Sequence, residues 1–137
     1  MPSRYINRNV VIKGMRLEPE TITYMGYLTV SPSIDRQIAI NNLVKELKIT
    51  GIWWLLDRLW LHASQTQQAA IISLVNPSST AITEVNSPTW VANQGYTGNG
   101  TTSYLNTNFN LNTQGVNYTQ NNASYGSYIR TNVAAAG

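Results

Sequence analysis

The sequence contains no cysteine, one histidine, and only nine Lys plus Arg and six Asp plus Glu in 137 residues. The missing cysteines exclude disulfides, thiolate nucleophiles and thiolate metal sites. With His62 the only histidine, any metal site would depend on carboxylates, and these are scattered with no HExxH-like pair. No acidic residue follows Glu84, and the only later charge is Arg130. A surface wetted by Asn, Thr, Ser, Gly and Tyr has few groups for acid–base chemistry. It has many that hydrogen-bond neighbours, water or sugars. Long apolar runs are missing too. The longest, Ile52 to Leu61, is broken by Asp57 and Arg58 and falls well short of the roughly 20 residues a membrane span needs. The opening residues, MPSRYINRNVVIKG, lack the apolar run of a secretory leader. The expectation is a chain made in the cytoplasm, not classically secreted, with no membrane span.

The length suits one domain with a core of its own. The charged share of 11% is well under the usual quarter. The net charge is +3, and Arg4, Arg8, Lys13 and Arg16 are diluted by Glu18 and Glu20. A nucleic-acid footprint needs a denser basic stripe with interleaved aromatics, so no nucleic-acid partner is expected.

Three zones divide the chain. Residues 1–30 carry β-leaning pieces, Asn9–Lys13 and Thr21–Val30, around a polar, turn-like Arg16–Glu20. Their thin apolar content reads as a docking arm on another subunit or as a strand-adding N-terminus. Residues 31–76 read as helical. Ser31-Pro32 is a helix start, Ile34, Ile38, Val44 and Leu47 share a face widened by Ala39, Ile40 and Leu43, and Gly51 stops it. Asp35 near its start and Lys45 and Lys48 near its end suit the helix dipole. Ile52–Asp57 fits a further helical turn or the start of a strand, Arg58–His62 a short strand, and Gln65–Val75 a second short helix. Residues 77–137 read as β. The candidate strands are Ala81–Val85, Thr89–Val91, Ser103–Thr107 and Tyr125–Arg130, with turns at Asn99–Thr102 and Thr113–Gly115. Gly95–Gly100 lacks the Lys-Ser/Thr of a phosphate-binding loop and reads as a bend. Regularly spaced short strands suggest a sandwich or jelly roll.

Few residues invite a chemical reading. His62 fits a strand end better than catalysis. Asp57-Arg58 inside an apolar run is either a functional acid or, more simply, a structural ion pair or an Arg holding backbone carbonyls. A glycosidase needs two acids flanking a cleft. Glu84 is the only acid near the β zone, and nothing in the spacing makes Asp57 its partner. Trp53, Trp54 and Trp60 lie among Leu and Ile and suit a core or a subunit interface. Trp90, Tyr96, Tyr104, Tyr118 and Tyr125 punctuate the polar β zone as candidate contacts for a glycan or partner. Asn99, Asn117 and Asn122 fit the N-glycosylation pattern, as expected by chance in so Asn- and Thr-rich a stretch.

The segments LKITGIWWLLDRLWLHA, EVNSPTWVANQGYTGNGTTSYLNTNFN and GVNYTQNNASYGSYIRTN, between Leu47 and Asn132, carry a family likeness. They resemble the lectin-like, concanavalin-type jelly-roll modules of tailed-bacteriophage fibres and other virion appendages. The resemblance implies an α+β chain: a small helical subdomain followed by an antiparallel β-sandwich portion, with no cofactor and no catalytic residues to carry over. It implies an oligomeric structural subunit of the virion, a head or tail fibre, favoured as a homotrimer. Such a subunit would contact other virion proteins and host-surface glycans. A capsid decoration (cement) protein and a polysaccharide-degrading enzyme are the alternatives. In such modules the sandwich continues beyond the RTN segment, whereas this sequence ends at Gly137. The remaining strands would then come from a further C-terminal portion or from neighbouring subunits.

Overall fold

The computed structural model describes residues 11–129. It begins with a hairpin of β1 (Val11–Ile12) and β2 (Met15–Arg16), in which Ile12 faces Met15. Lys13 and Gly14 between them both have positive φ, 48° and 77°. This is the backbone that the tight turns favoured by right-handed strand twist require. The β-leaning piece expected at Asn9–Lys13 therefore holds a strand at Val11–Ile12, and Asn9 and Val10 lie outside the described residues.

Thr21–Val30, expected as β, is instead mostly helical: α1 spans Pro19–Gly26 with proline in its first turn. Thr21, Ile22 and Tyr24 of α1 are buried, and so are Leu17 before it and Leu28 after it. Tyr24 and Leu28 join the core cluster with Ile40, Val44, Trp53, Ala69 and Leu74. Tyr24 and Leu28, which fall within the expected arm, are thus part of the core. Residues 1–10 of the expected arm lie outside the described residues.

α2 spans Ile34–Ile49, and its N-cap is Ser33, not Ser31. The Ser33 hydroxyl accepts the Arg36 backbone N–H at 3.4 Å. The buried stripe is Ile40, Asn41 and Val44, with Leu47 packed beside it. Ile34, Leu43 and Ile49, two of which were expected on the inner face, are exposed. The helix is rolled toward a polar residue because Asn41 is needed inside. Its Oδ1 accepts the Glu18 backbone N–H at 2.6 Å, one of the orphan donors at the start of α1, whose own N-cap side chain makes no cap.

Gly51 stops α2 at φ 77°, and Ile52–Leu55 forms a 3-10 turn. The strand expected at Arg58–His62 reduces to one bridge, Trp60 to Ser73. α3 (Gln67–Ile71) is shorter than the Gln65–Val75 helix expected, and is capped by Thr66. The phenol of Tyr24 donates to the Ala69 carbonyl at 3.1 Å and locks α1 to α3.

The remaining strands are β3 (Thr83–Val85), β4 (Thr89–Val91), β5 (Gly95–Thr97) and β6 (Tyr104–Asn106). Three of them match expected strands; β5 falls where a bend was expected. They form two separate antiparallel ribbons, β3 with β6 and β4 with β5. A four-residue helix, α4 (Leu111–Gln114), stands at the turn expected near Thr113. Residues 125–129 of the last expected strand form none among the described residues, and Arg130 lies outside them. The architecture is mixed α+β. Each described sheet has two strands, and among the described residues none after Gly95 is buried. Among the described residues no helix is long and apolar enough to cross a membrane.

Candidate functional site

The corner joining α2 to the 3-10 turn is apolar and open. Ile49, Ile52, Trp54 and Leu55 are all exposed, Trp54 by 61% and Leu55 by 70%. A four-residue 3-10 turn explains the split between the adjacent tryptophans. With about three residues per turn, neighbours diverge by about 120°, so Trp53 enters the core while Trp54 faces out. The Lys48 ammonium lies 6.0 Å from the Trp54 ring centre. The same ammonium donates to Glu18 at 2.7 Å and to Glu20 at 3.0 Å, tying the end of α2 to the start of α1. Burial alone would lower the Lys48 pKa, but hydrogen bonds to the two carboxylates outweigh it and hold the value above the ordinary lysine one.

Two residues beyond Leu55, Asp57 fixes the C-terminal limb. Its carboxylate accepts the backbone N–H groups of Val116 (3.1 Å), Asn117 (3.0 Å) and Tyr118 (2.8 Å), and the Asn117 side-chain amide at 3.3 Å. Burial pushes its pKa up, but these donors prevail and leave it below the usual aspartate value. Arg58 makes no ion pair with Asp57. It donates to the Asp57 carbonyl at 2.6 Å and lays its guanidinium 4.8 Å from the Phe109 ring centre. Phe109 meets Tyr118 edge to face at 6.4 Å. The limb is therefore held by one carboxylate and one small aromatic cluster, and Val116 stays exposed.

Glu84 belongs to a different cluster. It accepts the Tyr96 phenol and the Gln67 amide at 2.7 Å. Burial first, then the Glu84 carboxylate, raises the Tyr96 pKa. His62 meets the Tyr96 ring edge-on at 5.6 Å, and its Nδ1 lies 3.0 Å from the Ala70 carbonyl. Burial lowers the His62 pKa, and the Ala70 carbonyl opposes this only in part. Asp57 and Glu84 share no hydrogen-bonding partner. Each is saturated by groups that hold the fold together.

The candidate residues separate accordingly. Trp53 is core. Trp60 is half-buried, and its Nε1 is enclosed with no hydrogen-bond partner among the described residues. Trp54 alone of the three is a surface anchor. Trp90 and Tyr96 face each other across β4 and β5, and Trp90 donates to the His62 carbonyl at 3.1 Å. Tyr104, Tyr118 and Tyr125 lie on other elements, and among the described residues no ring contact joins them to this pair or to one another. Tyr104 and Tyr125 are exposed, and Tyr118 is committed to Phe109. Two clefts, of about 210 and about 280 Å³, are smaller than the usual small-molecule pocket of roughly 300–1,000 Å³.

Asn41, the pairing of Lys48 with Glu18 and Glu20, and Gln67 were not singled out from sequence. Asn41 could have been, since it lies three residues before Val44 on the apolar face. The others act across gaps with no local signal. Comparison of the chain with protein-family models, with curated proteins and with solved structures finds no match.

Proposed function

We propose that the protein is a structural subunit of a bacteriophage virion, an oligomeric head or tail fibre or appendage component. One observation carries the reading: the described chain after Gly95 contributes no buried residue, although it holds Leu111, Val116, Tyr125, Tyr128 and Ile129, all exposed. Continuous with this limb through Asp57 is the open corner of Ile49, Ile52, Trp54 and Leu55. An open apolar corner of this kind marks an interaction surface. The family resemblance of the sequence points the same way. In this reading the two-stranded ribbons are portions of a sandwich that other virion proteins or further copies complete, and Tyr104 and Tyr125 are free to stack on host-surface glycans.

Gold-labelled antibody to the chain, applied to purified particles of the parent phage, tests the proposal. Label at the tail or at discrete vertices is expected. Label spread across the capsid lattice would replace the fibre by a cement protein. Absence from the particle, together with release of sugar from host capsule, would replace it by the enzyme.

A further inference from the structure

The segment Ala123–Ile129 runs without secondary structure, and every residue in it is exposed. Tyr125 is 83% exposed, Tyr128 91% and Ile129 74%. Among the described residues it makes no hydrogen bond to the body, so its main-chain N–H and C=O groups find no protein partner there. In an extended conformation Tyr125, Ser127 and Ile129 would lie on one face of this segment and Gly126 and Tyr128 on the other.

β6 presents the complement. One of its edges pairs with β3, and among the described residues no main-chain hydrogen bond occupies the other. The β3 side is already approached by α3, through the Ile82 N–H to the Ile71 carbonyl at 3.1 Å. Tyr104 on β6 is exposed and offers a ring beside any added strand. Natural sheet edges are commonly protected by lysine, proline or inward-pointing charge. Neither β6 nor residues 123–129 carry any of these, and no charged residue lies between Glu84 and Arg130.

We propose that residues 123–129 of one copy add as a strand to the free edge of β6 in a second copy of the chain. The exchange supplies main-chain hydrogen bonds to both segments and packs one of the two tyrosines of the tail on the face that carries Tyr104. Main-chain pairing sets the affinity of such an added strand, and its alternating side chains set the specificity. The inference rests on the assembly-forming reading above and names its partner.

Light scattering on the full-length chain, over a concentration series and coupled to amide exchange, gives the test. Two single variants, Ser127→Pro and Tyr128→Pro, each delete one N–H, and the two N–H groups point to opposite edges of the tail. Both sites are exposed and unbonded in the single chain, so its fold is spared. The wild type should assemble, with slowed exchange at 104–106 and 123–129. One of the two proline variants should require at least about tenfold more protein to assemble, a loss of about 1.4 kcal/mol. Because the chain has no cysteine, mixing Asn106→Cys with Ser127→Cys should also give a mixed disulfide between copies. A wild type that stays monomeric overturns this inference and the assembly reading together. A wild type that assembles, with both proline variants unaffected and 104–106 unprotected, overturns this inference alone.

Discussion

The Tyr118 backbone N–H donates to Asp57 Oδ2 at 2.8 Å, across 61 residues of sequence. With the N–H groups of Val116 and Asn117 on the same carboxylate, it fastens the C-terminal limb to the helical body. Asp57→Ala should free that limb while leaving the core intact. Hydrogen bonds to a charged group contribute about 1.5–3 kcal/mol, so a loss of about 2 kcal/mol in urea unfolding is expected. Amide exchange at 116–118 should rise, with the aromatic contact of Phe109 and Tyr118 left as the remaining restraint. Unchanged exchange there would show that the limb is held by other means.

The same carboxylate gives the limb a pH dependence. Its folded pKa lies below the unfolded value, which is near 3.9. The stabilisation is therefore fully present above about pH 4 and is lost as pH falls through the folded pKa. Protection of 116–118, taken relative to the intrinsic exchange rate at each pH, should fall in that acid range in the wild type, and the fall should be absent in Asp57→Asn. An acid step that persists in Asp57→Asn would assign it to another group.

Trp53 and Trp54 should give opposite results on substitution. Trp53→Ala opens the core and should cost about 3–5 kcal/mol. Trp54→Ala removes an exposed ring and should change unfolding stability by no more than about 0.5 kcal/mol, while weakening self-association in light scattering. Equal stability losses would contradict the assignment of one ring to the core and the other to the surface.

Asn41→Ala would strand the Glu18 backbone N–H at the start of α1. That hydrogen bond is part-buried, and its loss should cost about 1 kcal/mol. Thermal unfolding should register that loss, with the first turn of α1 exchanging its amides fastest. A silent substitution would mean that water replaces the amide oxygen.

Lys48→Met keeps an unbranched apolar side chain but removes the charge that pairs with Glu18 and Glu20. A partly exposed ion pair contributes at most about 1 kcal/mol, and that loss is expected at pH 7. The folded Lys48 pKa is raised, so its contribution is complete below the unfolded value, near 10.4, and disappears as pH climbs through the folded one. The stability gap between wild type and Lys48→Met should accordingly close at strongly alkaline pH.

Local signals located much of the fold. Gly51 ended α2, turn residues bracketed β3, β4 and β6, and the helical character of residues 31–76 followed from apolar spacing. The misses have a common cause. Thr21-Ile22-Thr23 is rich in β-branched residues and leans to strand. Packing Tyr24 and Leu28 with Ile40 and Val44 of α2 and Ala69 of α3 outweighs that weak preference. Likewise α2 is rolled to bring Asn41 inside, at the expense of exposing Ile34 and Leu43, because α1 needs an acceptor for its first N–H. For the candidate site, sequence picked out the Trp-rich run but not which ring faces out, since the phase of a short 3-10 turn is set by what Trp53 packs against.

By itself the sequence determined the chemistry available: no thiols, one imidazole, and an uncharged stretch from Val85 to Ile129 that bonds through amides and hydroxyls. These follow from composition, which folding cannot change. Only the tertiary structure decided how those groups are spent. Asp57 became a clasp for distant main-chain N–H groups, Glu84 a partner for Tyr96 and Gln67, and Trp54 a surface ring. Each outcome depends on residues far apart in sequence meeting in space, and no local pattern encodes such a meeting.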